Sequence, residues 1–216
     1  MKSVLVIGMG RFGRHLADKM LELGNEVMIV DKQESIITEL APRFTNAYIG
    51  DCTNESVLKE LGVNHFDICF VTIGDNFQSS LEITSLLKEL GARFVVSKAS
   101  RDIQAKFLIK NGADEVVYPD RDMAEKLAIK HNAKNIFDYV EITDDYGIFE
   151  IPIVKEWTGK SVKTVDVRKN YHINIMAVKR NSKLKVLPGA DYIFNADDHI
   201  LVVGKPADVF KLTDKI

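Results

Sequence analysis

Three glycines at positions 8, 10 and 13 fall within six residues, G-M-G-R-F-G, between an apolar stretch and a run with helical periodicity. Side chains that small do not react. What they offer is backbone, brought close to something that needs hydrogen-bond donors. Gly8 permits a tight turn, Gly10 lets the main chain approach a pyrophosphate, and Gly13 lets the following helix pack against the preceding strand. The first N–H groups of that helix have no intrahelical acceptor, and they lie at the positive end of its dipole, which favours phosphate. The next apolar segment, EVMIV, ends in Asp31. That is about twenty residues on, where a carboxylate accepts ribose hydroxyls and its charge opposes a 2′-phosphate, disfavouring NADP. Glycines alone are a weak signal, but strand, helix and acid in register make a dinucleotide-fold fingerprint. Arg11 is not needed for the turn. It reads as a guanidinium suited to bidentate phosphate pairing or as a solvated surface arginine.

No constellation for catalysis accompanies this loop. The histidines at 15, 65, 131, 172 and 199 have no mutual ligand spacing, and no tyrosine is followed four residues later by lysine, so a short-chain dehydrogenase has no proton donor here. The two cysteines do not form a metal-ligand spacing. Cys69 sits in the apolar run ICFV as a space-filler, and Cys52 stands in a loop beside the expected nucleotide site, where packing or a redox role are both open. The reading is of a binding protein rather than an enzyme. An NAD(H)-binding redox sensor or a small NAD-dependent oxidoreductase is the alternative.

The elements that position these residues follow from periodicity. Residues 1–118 alternate short apolar strands (4–7, 26–30, 47–49, 67–72, 94–97, 115–118) with helices that carry one apolar face. That face is Phe12, Leu16, Met20 and Leu23 in the first helix and Ile83, Leu86, Leu87 and Leu90 in the fourth. Gly24, Gly62, Gly91 and Gly112 each close a helix. Repeated βα units with right-handed crossovers give a Rossmann-like, doubly wound parallel sheet of the α/β class. Pro119 opens a further helix to about residue 131, so the boundary near 135 is expected to be a continuous helical connection. From 136 the pattern becomes a hairpin around a DDYG turn, with Phe149, Ile151 and Ile153 inward, then a short helix over 162–171, strands around an NSK turn, a strand HILVVG and a closing helix. Two domains are expected, a nucleotide-binding one over 1–135 and a small α+β one over 136–216.

A formal charge of −2 without any block of Lys or Arg argues against nucleic acid or anionic membrane as the main partner. The start of the chain reads directly into a strand and no apolar run reaches bilayer length, so a cytoplasmic chain is expected whose membrane association comes through a partner.

Taken together, G-M-G-R-F-G, Asp31, G-D-C-T (50–53), T-I-G-D-N (72–76), V-S-K-A (96–99), G-A-D (112–114) and Y-P-D-R-D-M (118–123) closely resemble the RCK (regulator of K⁺ conductance) subunits of bacterial Ktr/Trk-type potassium uptake systems. The resemblance runs through both domains. It implies a nucleotide-sensing regulatory subunit at the inner face of the cell membrane, forming homodimers that build an octameric ring under a potassium channel or transporter subunit. ATP and ADP would be distinguished through the ring's conformation. Carried over by position, the resemblance implies that Gly8, Met9, Gly10, Arg11, Phe12 and Gly13 hold phosphates, Arg11 partly across the dimer. Asp31 would hold the ribose, Lys32 would belong to the same nucleotide site, and Asp51 and Cys52 would border adenine. Ile73, Gly74 and Asn76 would line the crevice and Lys98 would lie near phosphate, with a strand cap as its other reading. Asp120 stands where relatives usually carry a glutamate that ligates Mg²⁺ or Ca²⁺ between subunits; it is one methylene shorter and also reads as a helix-start acid. In the second domain the resemblance implies a cyclic di-AMP site at a two-fold cleft, with Val162, Val167 and Pro188 as apolar floor, Arg168 on phosphate and Asn174 and Ile175 at the edge. There Ile173 replaces the polar ring some relatives offer, and Val162 and Val167 read equally as core.

Overall fold

The computed structural model of the chain describes residues 1–44, 46–132, 135–143 and 145–216. By packing the chain divides into two units, Met1–Arg121 and Asp122–Ile216.

The first unit alternates strands and helices: β1 Ser3–Ile7, α1 Arg11–Glu22, β2 Glu26–Asp31, α2 Glu34–Leu40, β3 Asn46–Ile49, α3 Glu55–Leu61, β4 Ile68–Val71, α4 Phe77–Glu89, β5 Val95–Lys98, α5 Asp102–Lys110 and β6 Glu115–Val117. All of its strand pairs are parallel, in the order β3-β2-β1-β4-β5-β6. The central strand β1 is buried on both faces from Val4 to Ile7, as its unbroken apolar run requires. Strand order reverses between β1 and β4, and the carboxyl ends of β1, β2 and β4 meet there, Ile7 level with both Val30 and Val71. In doubly wound sheets this switch point is where ligands bind.

Gly24, Gly62, Gly91 and Gly112 all take positive φ at helix ends, as expected of C-terminal caps. The G-A-D signature has a structural role as well. Gly112 lies at φ +106° with Lys88 Cγ 2.5 Å from where a Cβ would stand, and Asp114 accepts from the Val95 amide at 2.7 Å and from Lys88 at 3.0 Å, fixing the start of β5. The apolar face expected of α1 is corrected in part. Its buried residues are Gly13 and Ala17, Leu16 and Met20 are only half-buried, and Leu23 is 67% exposed. Small residues let the helix lie close to the sheet, and Leu23 falls beyond the last turn.

Helix α6, Pro119–Asn132, begins in the first unit and continues into the second. Residues 133 and 134, on which the expected boundary at 135 bears, lie outside the described residues, as does Asp144 of the expected DDYG turn. The second unit carries β7 Asp138–Thr143, β8 Tyr146–Pro152, α7 Val162–Val165, α8 Val167–Tyr171, β9 Asn174–Arg180, β10 Lys183–Val186, β11 His199–Gly204 and α9 Pro206–Thr213. The strands form an antiparallel sheet in the order β10-β9-β11-β8-β7. Phe149, Ile151, Ile200 and Val202 on alternate positions meet Ile173, Trp157, Phe194 and Val209 in one core. The single helix expected over 162–171 is two. Asp166 sits left-handed at φ +45°, and Asn170 Nδ2 donates to the Val165 carbonyl at 2.8 Å in place of a continued helix.

Candidate functional site

The glycine loop is held from four sides. Gly8, at φ +95°, donates its amide to the Val30 carbonyl at 2.8 Å, and its own carbonyl lies against the Thr72 hydroxyl, which also reaches the Ile7 carbonyl. Met9 donates its amide to Asp31 Oδ2 at 2.7 Å, and its carbonyl accepts from Arg14 Nε at 3.0 Å. The Met9 side chain itself is buried in the core. A loop fixed in this way needs little reorganisation to receive a ligand.

The three glycines answer to different constraints. A Cβ on Gly13 would stand 2.1 Å from the Gly8 carbonyl oxygen and 2.6 Å from Thr72 Oγ1, and one on Gly8 would meet Ile73 Cγ1 at 2.8 Å. A Cβ on Gly10 meets no protein atom within 4 Å, and Gly10 has ordinary backbone angles, φ −67° and ψ −176°. Gly8 and Gly13 are thus small for the protein's own packing, and Gly10 is not. Gly10 is also the N-cap of α1, and no side chain caps that terminus. By contrast, Asn76 Oδ1 caps α4 by accepting from the Ser79 amide at 3.1 Å.

A cleft of about 360 Å³ opens at these strand ends. Of the residues singled out from sequence, Gly8, Gly10, Asp31, Lys32, Asp51, Cys52, Ile73, Gly74 and Asn76 line it. Gln33, Ile36, Gly50, Thr72, Asp75, Ser79 and Ile83 line it too. Gly50, Thr72 and Asp75 stand inside the quoted motifs, and position within them was the available signal. Asp31 Oδ1 accepts from the Gln33 amide at 2.9 Å, so both its oxygens are oriented by backbone. Hydrogen bonds from the Thr53 hydroxyl and amide hold the Asp51 carboxyl below the usual carboxylate range. Burial, with Asp51 and Asp31 nearby, pushes the Cys52 thiol up to about 12, so at neutral pH it is a protonated space-filler and not a nucleophile. The cleft is acidic around Asp31, Asp51 and Asp75, and rich in amide N–H at the Gly10 end.

Met9, Arg11, Phe12, Gly13 and Lys98 are not on the cleft wall. Arg11 is exposed, and its side chain makes no hydrogen bond or ion pair among the described residues. Lys98 and Asp120 are brought together, Nζ to Oδ2 at 3.3 Å. No group of three or more His, Cys, Asp or Glu poised for a metal occurs among the described residues. In the second unit, Val162, Val167, Arg168, Ile175 and Pro188 line one cleft of about 400 Å³ with Lys163, Asp166 and Ala190. Asn174 is exposed at the start of β9, outside it. Val167 is both core and cleft wall.

Residues 4–119 match the TrkA-N domain family and residues 148–216 the TrkA-C domain family. The chain is 38% identical over its full length to Ktr system potassium uptake protein C of Bacillus subtilis (strain 168), covering 97% of that protein. The chain belongs to the Ktr potassium-uptake protein family. The Ktr assignment agrees with the fold. A solved GsuK RCK domain superposes with a TM-score of 0.70 at 16% identity over 98% of this chain, and the GsuK channel bound to NAD does so with 0.70 at 17% over 98%. This chain spans less than half of either, 47% and 39%. At such identities the likeness is one of fold. No helix among the described residues is long and apolar enough to cross a membrane.

Proposed function

We propose that this Ktr-family chain is a non-enzymatic, cytoplasmic, nucleotide-sensing subunit that gates a membrane potassium channel or transporter subunit, with ATP and ADP favouring different conformations of its assembly. One observation carries the reading. At the switch point an uncapped helix N-terminus follows a glycine, Gly10, whose smallness no protein atom demands. The α1 N–H groups and dipole suit phosphates, and the acidic end at Asp31 and Asp51 suits the ribose and base. Exposed Arg11 reaches a terminal phosphate across the subunit boundary, in part from a partner subunit. Homodimers closing into an octameric ring supply that partner, and Asp120 takes Mg²⁺ or Ca²⁺ together with a partner's ligand. Gating requires only that the two nucleotides differ in affinity for two ring shapes. The cleft at Val162, Arg168 and Pro188 supports a second ligand, cyclic di-AMP, in the second unit.

Calorimetry on the full chain with ATP, ADP, NADH and NADPH tests the reading. ATP and ADP bind most tightly and NADPH most weakly. Gly10→Ala weakens both adenine nucleotides about tenfold or more, roughly 1.4 kcal/mol, at an unchanged thermal midpoint. Arg11→Ala lowers affinity for ATP and not for ADP. NADH binding tighter than either nucleotide moves the assignment to an NAD(H) redox sensor, a reading favoured by the NAD-bound channel of like fold. A folded chain that binds none of the four overturns it.

A further inference from the structure

Lys98 is the last residue of β5, beside β4, whose continuation makes the Ile73–Gly74 wall of the cleft. Its stem lies along Gly74, with Nζ, Cε and Cδ at 3.4, 3.7 and 3.9 Å from where a Cβ on that glycine would stand. The ammonium is 5.8 Å from the ring centre of Phe12 in the first turn of α1, and 3.3 Å from Asp120 in the first turn of α6. The pair is asymmetric. The Lys98 side chain is 15% exposed and that of Asp120 is 86% exposed. The lysine is therefore the inward, held partner, and its carboxylate stands in water.

An ammonium in that position has two calls on it. Behind Gly74 it lies near the Phe12 ring, in the first turn of the helix at whose start the proposed nucleotide puts its phosphates; in the free chain its anion is Asp120. A hydrated carboxylate is cheap to leave, because an exposed ion pair stabilises little and Asp120 keeps the favourable end of the α6 dipole when the lysine departs. A phosphate chain with several negative oxygens at the same ammonium is the stronger partner. Resting on the nucleotide reading above, we infer that Lys98 is a shared cation, which bound phosphate draws away from Asp120, so that occupancy of the cleft is converted into loss of an ion pair at the start of α6. That helix begins in the first unit and continues into the second, so the broken contact lies on the element through which the chain passes between them.

The consequence has a sign that a ligand-holding role for Asp120 does not share. If Asp120 competes for Lys98, removing its charge must strengthen phosphate binding. ATP affinity of the full chain is measured in EDTA, with adenosine as a probe that lacks phosphate. Asp120→Asn tightens ATP about 1.5- to 5-fold, the range of an exposed ion pair, and leaves adenosine unchanged. Lys98→Met weakens ATP, and in that background Asp120→Asn has no further effect. Weaker or unchanged ATP binding in Asp120→Asn, an equal change for adenosine, or a gain that persists without Lys98 overturns the inference while the nucleotide reading stands. A wild-type chain that binds adenosine and ATP equally well refutes Lys98 as a phosphate partner, and one that binds no ATP overturns both.

Discussion

Asp198, immediately before β11, carries a fully buried carboxylate, and four donors converge on it. Arg180 Nε reaches Oδ1 at 2.6 Å, and Oδ2 accepts from Arg180 Nη2 at 3.1 Å, the Tyr192 hydroxyl at 2.9 Å and the Asn195 amide at 2.9 Å. Burial raises this carboxyl's pKa, but the bonds from Arg180, Asn195 and Tyr192 outweigh it and hold the group below its ordinary value. Asp198→Asn keeps the shape, removes the charge and turns an NH₂ toward donors. Removing one partner of a buried pair costs about 3–5 kcal/mol. Arg180, at 39% side-chain exposure, keeps part of its hydration, which lowers the expectation to about 2–3 kcal/mol. Trp157, the one tryptophan of the chain, lies in the same core with its ring centre 5.6 Å from that of Phe194, so its fluorescence reports unfolding of the second unit. The urea midpoint read from Trp157 falls by about 1 M or more for a typical dependence on denaturant. Because the folded pKa is depressed, the stabilisation is fully present above the unfolded carboxylate value near 4 and is lost as pH falls through the folded one. The variant therefore loses less stability on acidification than the parent. A change below about 0.5 kcal/mol, or an identical pH profile, refutes the view of Asp198 as a satisfied buried charge.

Two further outcomes follow from the loop and the thiols. Gly13→Ala forces a Cβ against the Gly8 carbonyl, and overpacking of this kind costs about 1–3 kcal/mol. Calorimetric scanning therefore shows a lowered thermal midpoint for Gly13→Ala beside an unchanged one for Gly10→Ala, and equal midpoints refute the division of labour among the glycines. Burial pushes the thiols of Cys52 and Cys69 each up to about 12, so at neutral pH a chromogenic disulfide reagent titrates both only in denaturant. Prompt reaction in the native chain would refute the burial of these two thiols.

The strand–glycine–helix unit, the parallel sheet and the place of Asp31 were legible in the chain alone, because the forces behind them act between near neighbours. A positive φ demands glycine at position 8, apolar period separates strand from helix, and the handedness of βα crossovers leaves few orders for six strands. The second unit's hairpin and its inward Phe149, Ile151 and Ile153 were legible for the same reason. Partners were not. Lys98 reads from sequence as a phosphate contact or a strand cap and Asp120 as a metal ligand or a helix-start acid. That they face one another depends on β5 ending level with the start of α6, which no local spacing states. Leu23 completes an apolar stripe on paper, yet the helix stops before it reaches the sheet. Thr72 and Val30 lock the glycine loop from distant elements, and Asp198 gathers donors from β9 and the loop before β11. Turn sterics and hydrophobic period are properties of adjacent residues. Which charge meets which, and which glycine is small for the protein and which for something else, depends on where separate strands end relative to one another, and tertiary packing alone decides that.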